Sequence, residues 1–192
     1  MGSEMCIRDS GSTQQTACAK GSYTDAYGQG ACTPCAGGTY QDEEGKTACE
    51  PCEAGSHCAV GSAAALPCEA GSYSSATNLS DASECTDAAP GCFATTGSTQ
   101  QTPCAKGSYT DAYRQGECTP CGGGTYQDAE AQTGCKACEA GSYCAEGAAA
   151  PLPCYGGTYS SATDNDEQGD CTPADPGYFA TTGSTQQLSL IH

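Results

Sequence analysis

Thiols are the chemistry-bearing side chains of this sequence. Eighteen of its 192 residues are cysteine, and the pairs Cys32-x-x-Cys35 and Cys49-x-x-Cys52 admit three different chemistries. Four thiolates at this spacing approach a zinc ribbon, in which they would form a tetrahedral S4 site. A dithiol in a C-x-x-C turn can run thiol–disulfide exchange, but that chemistry belongs to a βαβ setting, and no such pattern surrounds any C-x-x-C here. Structural disulfides are the third option. They are favoured because C-x-x-C recurs as a junction between repeated units, with the array's cysteines pairing at even number.

Other candidate groups carry less. His57, the single histidine between residues 11 and 187, adjoins Cys58; a Cys-His nucleophile would need that thiol free. There is no Ser-His-Asp set and no glycine-rich phosphate loop, so no catalytic residue is assigned and the chain is expected not to be an enzyme. Asp164, Asp166, Glu167 and Asp170 offer oxygens to calcium, but their spacing is not that of an EF-hand loop. The first copy of the repeat has Asn78, Ser80, Asp81 and Ser83 in that region, so a solvated turn is expected, with no metal and no cofactor. Asn78-Leu79-Ser80 is an acceptor tripeptide for N-glycosylation in an expected exposed loop, and the second copy reads Asp164-Asn165-Asp166.

Composition decides how such groups can be held in place. Between Gly11 and Gln187 the only Leu, Ile, Val or Phe residues are Val60, Leu66, Leu79, Phe93, Leu152 and Phe179. Six such side chains cannot offset the entropy of ordering the chain. Covalent stapling is left as the alternative to disorder, and persistent disulfides imply an oxidising compartment, hence a secreted or cell-surface protein. A formal charge of -17 argues against nucleic acid and anionic membrane surfaces as partners.

The two ends differ from everything between them. Met1 to Ser10 and Leu188 to His192 share no pattern with the repeats. Back-translation allows Met-Cys-Ile-Arg-Asp and Leu-Ser-Leu-Ile-His to be read from opposite strands of one oligonucleotide, as from a sequencing adapter. Residues 1–10 and 188–192 are therefore expected to be non-native tails, and residues 11–187 an internal fragment. Any membrane attachment would then reside in missing flanking regions.

The repeat itself has two levels. An 86-residue unit begins with GSTQQT at Gly11 and again at Gly97, and GSTQQ returns at Gly183. Within it a shorter module, C-x-x-G-x-[YF], opens at Cys18, Cys35, Cys52, Cys68 and Ala88, then at Cys104, Cys121, Cys138, Cys154 and Ala174. Glycine stands three residues after all ten openers, which points to a backbone with φ > 0 or a very close approach. An aromatic residue stands five after each opener except at His57, and each ring is expected to lie against a disulfide. Residues 11–17 end a preceding repeat, 18–103 form copy 1 and 104–187 form a truncated copy 2.

Connectivity is read from paired losses. Where the opener is Ala88 or Ala174, the closing position is Gln101 or Gln187, so both cysteines vanish together. Within-module closure then gives Cys18–Cys32, Cys35–Cys49, Cys52–Cys58 and Cys68–Cys85. The second copy gives Cys104–Cys118, Cys121–Cys135, Cys138–Cys144 and Cys154–Cys171. A crossed arrangement, Cys32–Cys49 with Cys35–Cys52, is the alternative. Cys92 is left unpaired, and its counterpart is Tyr178.

These features predict small disulfide-rich repeats: an elongated ladder of short β-hairpins, mostly coil, with almost no helix. Strands of three or four residues are expected at the G-[ST]-Y segments, each facing the chain just before the closing cysteine. CTPCAGGTY at Cys32 to Tyr40 and CTPCGGGTY at Cys118 to Tyr126 resemble the ephrin type-A/B receptor-like cysteine-rich repeat. The pattern is similar also to tumour-necrosis-factor-receptor modules, in which the CxxGxY cysteine pairs with the next one. The resemblance implies an extracellular module. The function expected is a spacer or scaffold; a binding module for an extracellular protein or glycan is the second reading, and an intracellular zinc-binding protein the third. No oligomeric state is read from the sequence.

Overall fold

A computed structural model describes residues 6–7, 16–26 and 30–189. The remainder of the two tails, residues 8–15 and residues 27–29 lie outside the described residues. The chain forms two compact units, Met1–Ala88 with Ala94–Gln101, and Ala89–Phe93 with Thr102–His192.

Each module is one antiparallel hairpin whose strands are two residues long. In the first unit Ser22–Tyr23 pairs with Thr33–Pro34, Thr39–Tyr40 with Glu50–Pro51, Ser56–His57 with Leu66–Pro67, and Ser72–Tyr73 with Thr86–Asp87. In the second unit the pairs are Cys92–Phe93 with Thr102–Pro103, Ser108–Tyr109 with Thr119–Pro120, and Thr125–Tyr126 with Lys136–Ala137. Ser142–Tyr143 with Leu152–Pro153 and Thr158–Tyr159 with Thr172–Pro173 follow. At the ends, Cys6–Ile7 pairs with Thr16–Ala17, and Leu188–Ser189 with Tyr178–Phe179. Among the described residues helix is confined to two three-residue 3-10 turns, Ala82–Glu84 and Gln168–Asp170.

Two sequence-based expectations are corrected here. The strands are shorter than three residues, and their partners follow the closing cysteine instead of preceding it. Both corrections have one cause, visible in the second module. Gly38 has φ +86°, which ends the extended run on its N-terminal side. Its carbonyl then accepts the N–H of the next opener, Cys52, at 2.9 Å. That bond draws Glu50–Pro51, the residues between closer and opener, alongside Thr39–Tyr40. Proline has no N–H to give to a ladder, and it is tolerated as the last residue of a two-residue edge strand.

Local side-chain bonds lock the turn that enters six of the hairpins. The Thr39 N–H and hydroxyl both donate to the Ala36 carbonyl, at 3.0 and 2.8 Å. Ser22, Ser72, Ser108, Thr125 and Thr158 make the same hydroxyl bond to the residue after their openers. The small hydroxyl residue in G-[ST]-Y is thus a turn-former, in line with the usual role of Ser and Thr in such motifs.

Among the described residues Leu79 is the one buried side chain of Leu, Ile or Val, too little for an aliphatic core. The opener cysteines from Cys18 through Cys154 are essentially inaccessible, whereas Val60, Leu66 and Leu152 are more than half exposed. The aromatic rings are mostly half-buried. Among the described residues Tyr126 is the one buried ring; it packs with Cys138 and Cys144 of the following module and with Ala148.

Candidate functional site

Neighbouring modules meet through a backbone junction, and this junction is the most elaborated site in the structure. It is centred six residues after each opener, at a position that sequence reasoning missed. Gln41 shows the geometry. Its carbonyl accepts the N–H of Gly21 from the preceding module at 2.7 Å, and its own N–H donates to Ser62 of the following module at 3.1 Å. One residue therefore ties three successive modules together.

Its equivalents repeat the arrangement. In the first unit Cys58 accepts from Gly38 and donates to Leu79, and Ser74 accepts from Gly55 and donates to Ser98. In the second unit Thr110, Gln127, Cys144 and Ser160 accept from Gly91, Gly107, Gly124 and Gly141, and donate to Gln132, Ala148, Asn165 and Ser184. A residue held from both sides is necessarily enclosed, and Gln41, Ser74, Thr110, Gln127 and Ser160 are all at most 6% exposed. Buried polar side chains need partners. The Gln41 amide donates to Ala48 at 2.7 Å and Gln127 to Gly134 at 2.6 Å, bracing their own loops.

The cysteines fall into place around this junction. Eight disulfides are present, Cys18–Cys32, Cys35–Cys49, Cys52–Cys58, Cys68–Cys85, Cys104–Cys118, Cys121–Cys135, Cys138–Cys144 and Cys154–Cys171. Cys58 and Cys144 occupy the buried junction position itself, so their modules close a loop of sequence separation 6 where most others close one of 14. In the modules opened by Ala88 and Ala174 the junction residue is Ala94 or Ala180, also buried. In the first of them two buried alanines, Ala88 and Ala94, stand at the opener and junction positions that Cys52–Cys58 and Cys138–Cys144 bridge elsewhere.

The other candidates of the sequence are located as follows. Cys32, Cys35, Cys49 and Cys52 are all oxidised, which leaves none of them as a thiolate for a zinc site. Cys58 is bonded to Cys52, so His57 has no thiol beside it to activate. Cys92 is a free, half-buried cysteine. Asn78 is exposed with φ +62°. Among the described residues no cluster of three or more His, Cys, Asp or Glu is arranged to hold a metal ion. An open depression of about 550 Å³ is lined by Gly123, Ala145, Glu146, Asp166 and Glu167.

Of the acidic residues considered for calcium, Asp170 caps its short turn through its carboxylate, as Asp81 and Glu84 do in the first unit. The Glu84 carboxylate accepts from the Ser80 hydroxyl at 2.6 Å, the Ser80 N–H at 2.9 Å and the Asp81 N–H at 3.0 Å. The Asp81 carboxylate accepts the Ser83 N–H at 2.9 Å. In the second unit the Asp170 carboxylate accepts the N–H groups of Asp166 and Glu167, at 3.0 and 3.2 Å. Bonds from Ser80 to Glu84, from Ser83 to Asp81, and from the Asp166 and Glu167 amides to Asp170 hold all three carboxyls below their ordinary range. A depressed folded-state value means that capping is complete above the ordinary carboxylate range and lost as pH falls through the depressed value. In a 1H–15N titration from about pH 6 to about pH 2, spanning the ordinary carboxylate values, the Ser80, Asp81, Ser83, Asp166 and Glu167 amides should move. Their midpoints should lie below those of exposed carboxylates, while the Cys58 and Cys144 amides stay in place. Midpoints at ordinary carboxylate values would show that the caps do not form.

Residues 21–64 match the family model described as tyrosine-protein kinase ephrin type A/B receptor-like. This stretch, which spans the hairpins from Ser22 to Leu66 almost entirely, is an ephrin receptor-like cysteine-rich repeat. No curated protein matches the chain. A repeat of this kind is a non-catalytic module type, and with eight disulfides it points to an extracellular module. Among the described residues no helix is long and apolar enough to cross a membrane.

Proposed function

We propose that the chain is a spacer or scaffold segment of a secreted or cell-surface protein, holding other parts of that protein at a set separation. We read it as two copies of an 86-residue repeat, 18–103 and the truncated 104–187, from one longer array. The observation that supports this is the junction. Seven bridges of the Gln41 type, three in succession in one unit and four in succession in the other, use backbone groups in the same pattern while the side chains vary. Repetition of one nearest-neighbour interface is what makes a repeat array extend without changing its local geometry.

The test is small-angle X-ray scattering on the oxidised chain. A compact 192-residue protein would have a radius of gyration of about 16 Å and an unfolded one about 47 Å. A spacer is expected to fall clearly between them, with a constant cross-section. A value near 16 Å would overturn the proposal.

One observation favours the second reading, a binding module for an extracellular protein or glycan. Tyr155 is 62% exposed where the first copy has Glu69. Interaction with Tyr155 first, and desolvation second, raise the Tyr143 hydroxyl above its ordinary pKa. An exposed tyrosine beside a half-buried one offers the kind of aromatic surface that recognition sites use. On this reading Y155E, which restores the residue of the first copy, would remove the contact.

A further inference from the structure

We propose that Asn78 is a glycosylation site that carries one N-linked oligosaccharide when the chain passes through the secretory pathway. The tripeptide Asn78-Leu79-Ser80 meets the sequence requirement, since a residue other than proline separates Asn from Ser. Tripeptides of this kind arise by chance, so the structural setting has to carry the argument.

That setting alternates along the three residues. Leu79 points inward and is 6% exposed, while Asn78 and Ser80 on either side are exposed. The backbone is fixed on the inner side. The Asn78 N–H donates to Cys52 at 2.8 Å, and the Leu79 carbonyl accepts the Cys58 N–H at 2.8 Å. No hydrogen bond from the Asn78 side chain is formed among the described residues. The nitrogen that would take the sugar is therefore outside the fold, on a loop whose main chain would not move to admit it.

A purely structural role explains Asn78 less well. Asn tolerates the left-handed conformation it adopts here, at φ +62°. The same place in other modules holds Gly45, Gly61 and Gly97 in the first unit, and Arg114, Ala131, Gly147 and Gly183 in the second, all at positive φ. A backbone that accepts arginine and alanine there does not require asparagine. The second copy offers the contrast. Asn165 takes the inward position of Leu79, is 5% exposed and donates its amide to Ser142 at 3.0 Å. It is an internal strut, and no Ser or Thr stands two residues on. One asparagine is used inside the fold and the other is presented to solvent.

Chain order is also favourable. Asn78 and Ser80 precede Cys85, the closing half of the Cys68–Cys85 disulfide, so the acceptor emerges before its loop is shut. The chemistry needs an oligosaccharide linked to a lipid diphosphate, with a host transferase. Asn78 Nδ2 attacks the anomeric carbon of the first sugar, and a C–N bond forms as the C–O bond to the diphosphate breaks. The lipid diphosphate leaves with the electron pair, and a carboxylate of the transferase takes the Nδ2 proton. Nothing is oxidised or reduced.

The experiment expresses the full chain behind a cleavable secretion leader in a eukaryotic host, so that it does not depend on the spacer reading. Secreted and retained pools are both analysed by intact mass and peptide mapping, before and after peptide N-glycosidase in 18O water. The expected result is one glycan on most molecules, with 18O-labelled Asp at position 78 after release. N78D, which installs the residue of the second copy, and S80A should each abolish it, whereas S80T should retain it. Recovery of position 78 as unmodified Asn in both pools would overturn the proposal, as would a glycan surviving in N78D.

Discussion

Full reduction of the chain is expected to abolish its folded structure at 25 °C in dilute buffer, with no denaturant present. The disulfide loops run in series: 18–32, 35–49, 52–58 and 68–85 do not overlap, and neither do their counterparts in the second copy. Each bridge therefore restricts its own stretch of the unfolded chain. In the chain-entropy model a loop of about 15 residues contributes ~3 kcal/mol, and the short loops closed by Cys58 and Cys144 somewhat less. Over eight bridges the contribution exceeds the ~5–15 kcal/mol by which domains are ordinarily stable. Little else could compensate, because the inaccessible side chains are mostly the cysteines, joined by small or polar residues such as Ala88, Ala94 and Gln41, while Leu66 and Leu152 stay half exposed. Amide dispersion in a 1H–15N spectrum should collapse on reduction and return on reoxidation. Retained dispersion in the reduced chain would show a core that the burial pattern does not contain. Restoration by zinc alone would favour thiolate ligation over disulfides.

What could be read in the sequence follows from which atoms do the work. The fold class was legible because it rests on side chains with distinctive chemistry: cysteines at fixed spacing, a near absence of aliphatic residues, and glycine three after every opener. The glycine reading left open whether φ > 0 or close approach is responsible. At Gly38 both apply, since φ is +86° and an added Cβ would lie 2.3 Å from the Asn78 carbonyl oxygen. The junction position was not legible. Thr24, Gln41, Cys58, Ser74 and Ala94 share no side-chain chemistry, and all five are buried. What they have in common is a main-chain N–H and C=O, which every residue but proline possesses. A site built from backbone groups leaves no residue-type signature, and only the spacing marks it. Strand pairing was misread for a related reason. The partner segment is selected by the glycine carbonyl bonding the next opener, a contact that no alternation of apolar and polar residues encodes.

Three glycines of the second unit separate these effects, and their alanine variants should rank in a fixed order. Gly134 has no atom within 4 Å of an added Cβ and no positive φ. G134A is expected to leave stability unchanged or slightly raised, by ~0.5 kcal/mol, through the unfolded state. Gly147 has the same open space but φ +73°, so G147A carries the left-handed penalty of ~1–2 kcal/mol and no clash. Ala131 and Arg114 show that this penalty is survivable, at φ +57° and +62°. Gly107 combines φ +84° with an added Cβ 2.2 Å from the Gly147 carbonyl oxygen. A carbon and a carbonyl oxygen approach to about 3.3 Å at closest, so the backbone must yield by about 1 Å. That displacement pulls on the bonds from Gly107 to Gln127, from Cys121 to Gly107 and from Gly147 to Cys121, now at 2.8, 2.8 and 2.7 Å. Local hydrogen exchange is the suitable readout, because disulfide-closed modules need not unfold as one unit. In G107A the amides of residues 107, 121 and 147 should exchange at least about a hundredfold faster, equivalent to ~2.7 kcal/mol. In G147A the same amides should quicken about tenfold, and in G134A by less than about threefold. Equal behaviour of G107A and G147A would mean that φ alone accounts for the glycine. The rank order would then leave close packing between modules two apart with no part in holding the array together.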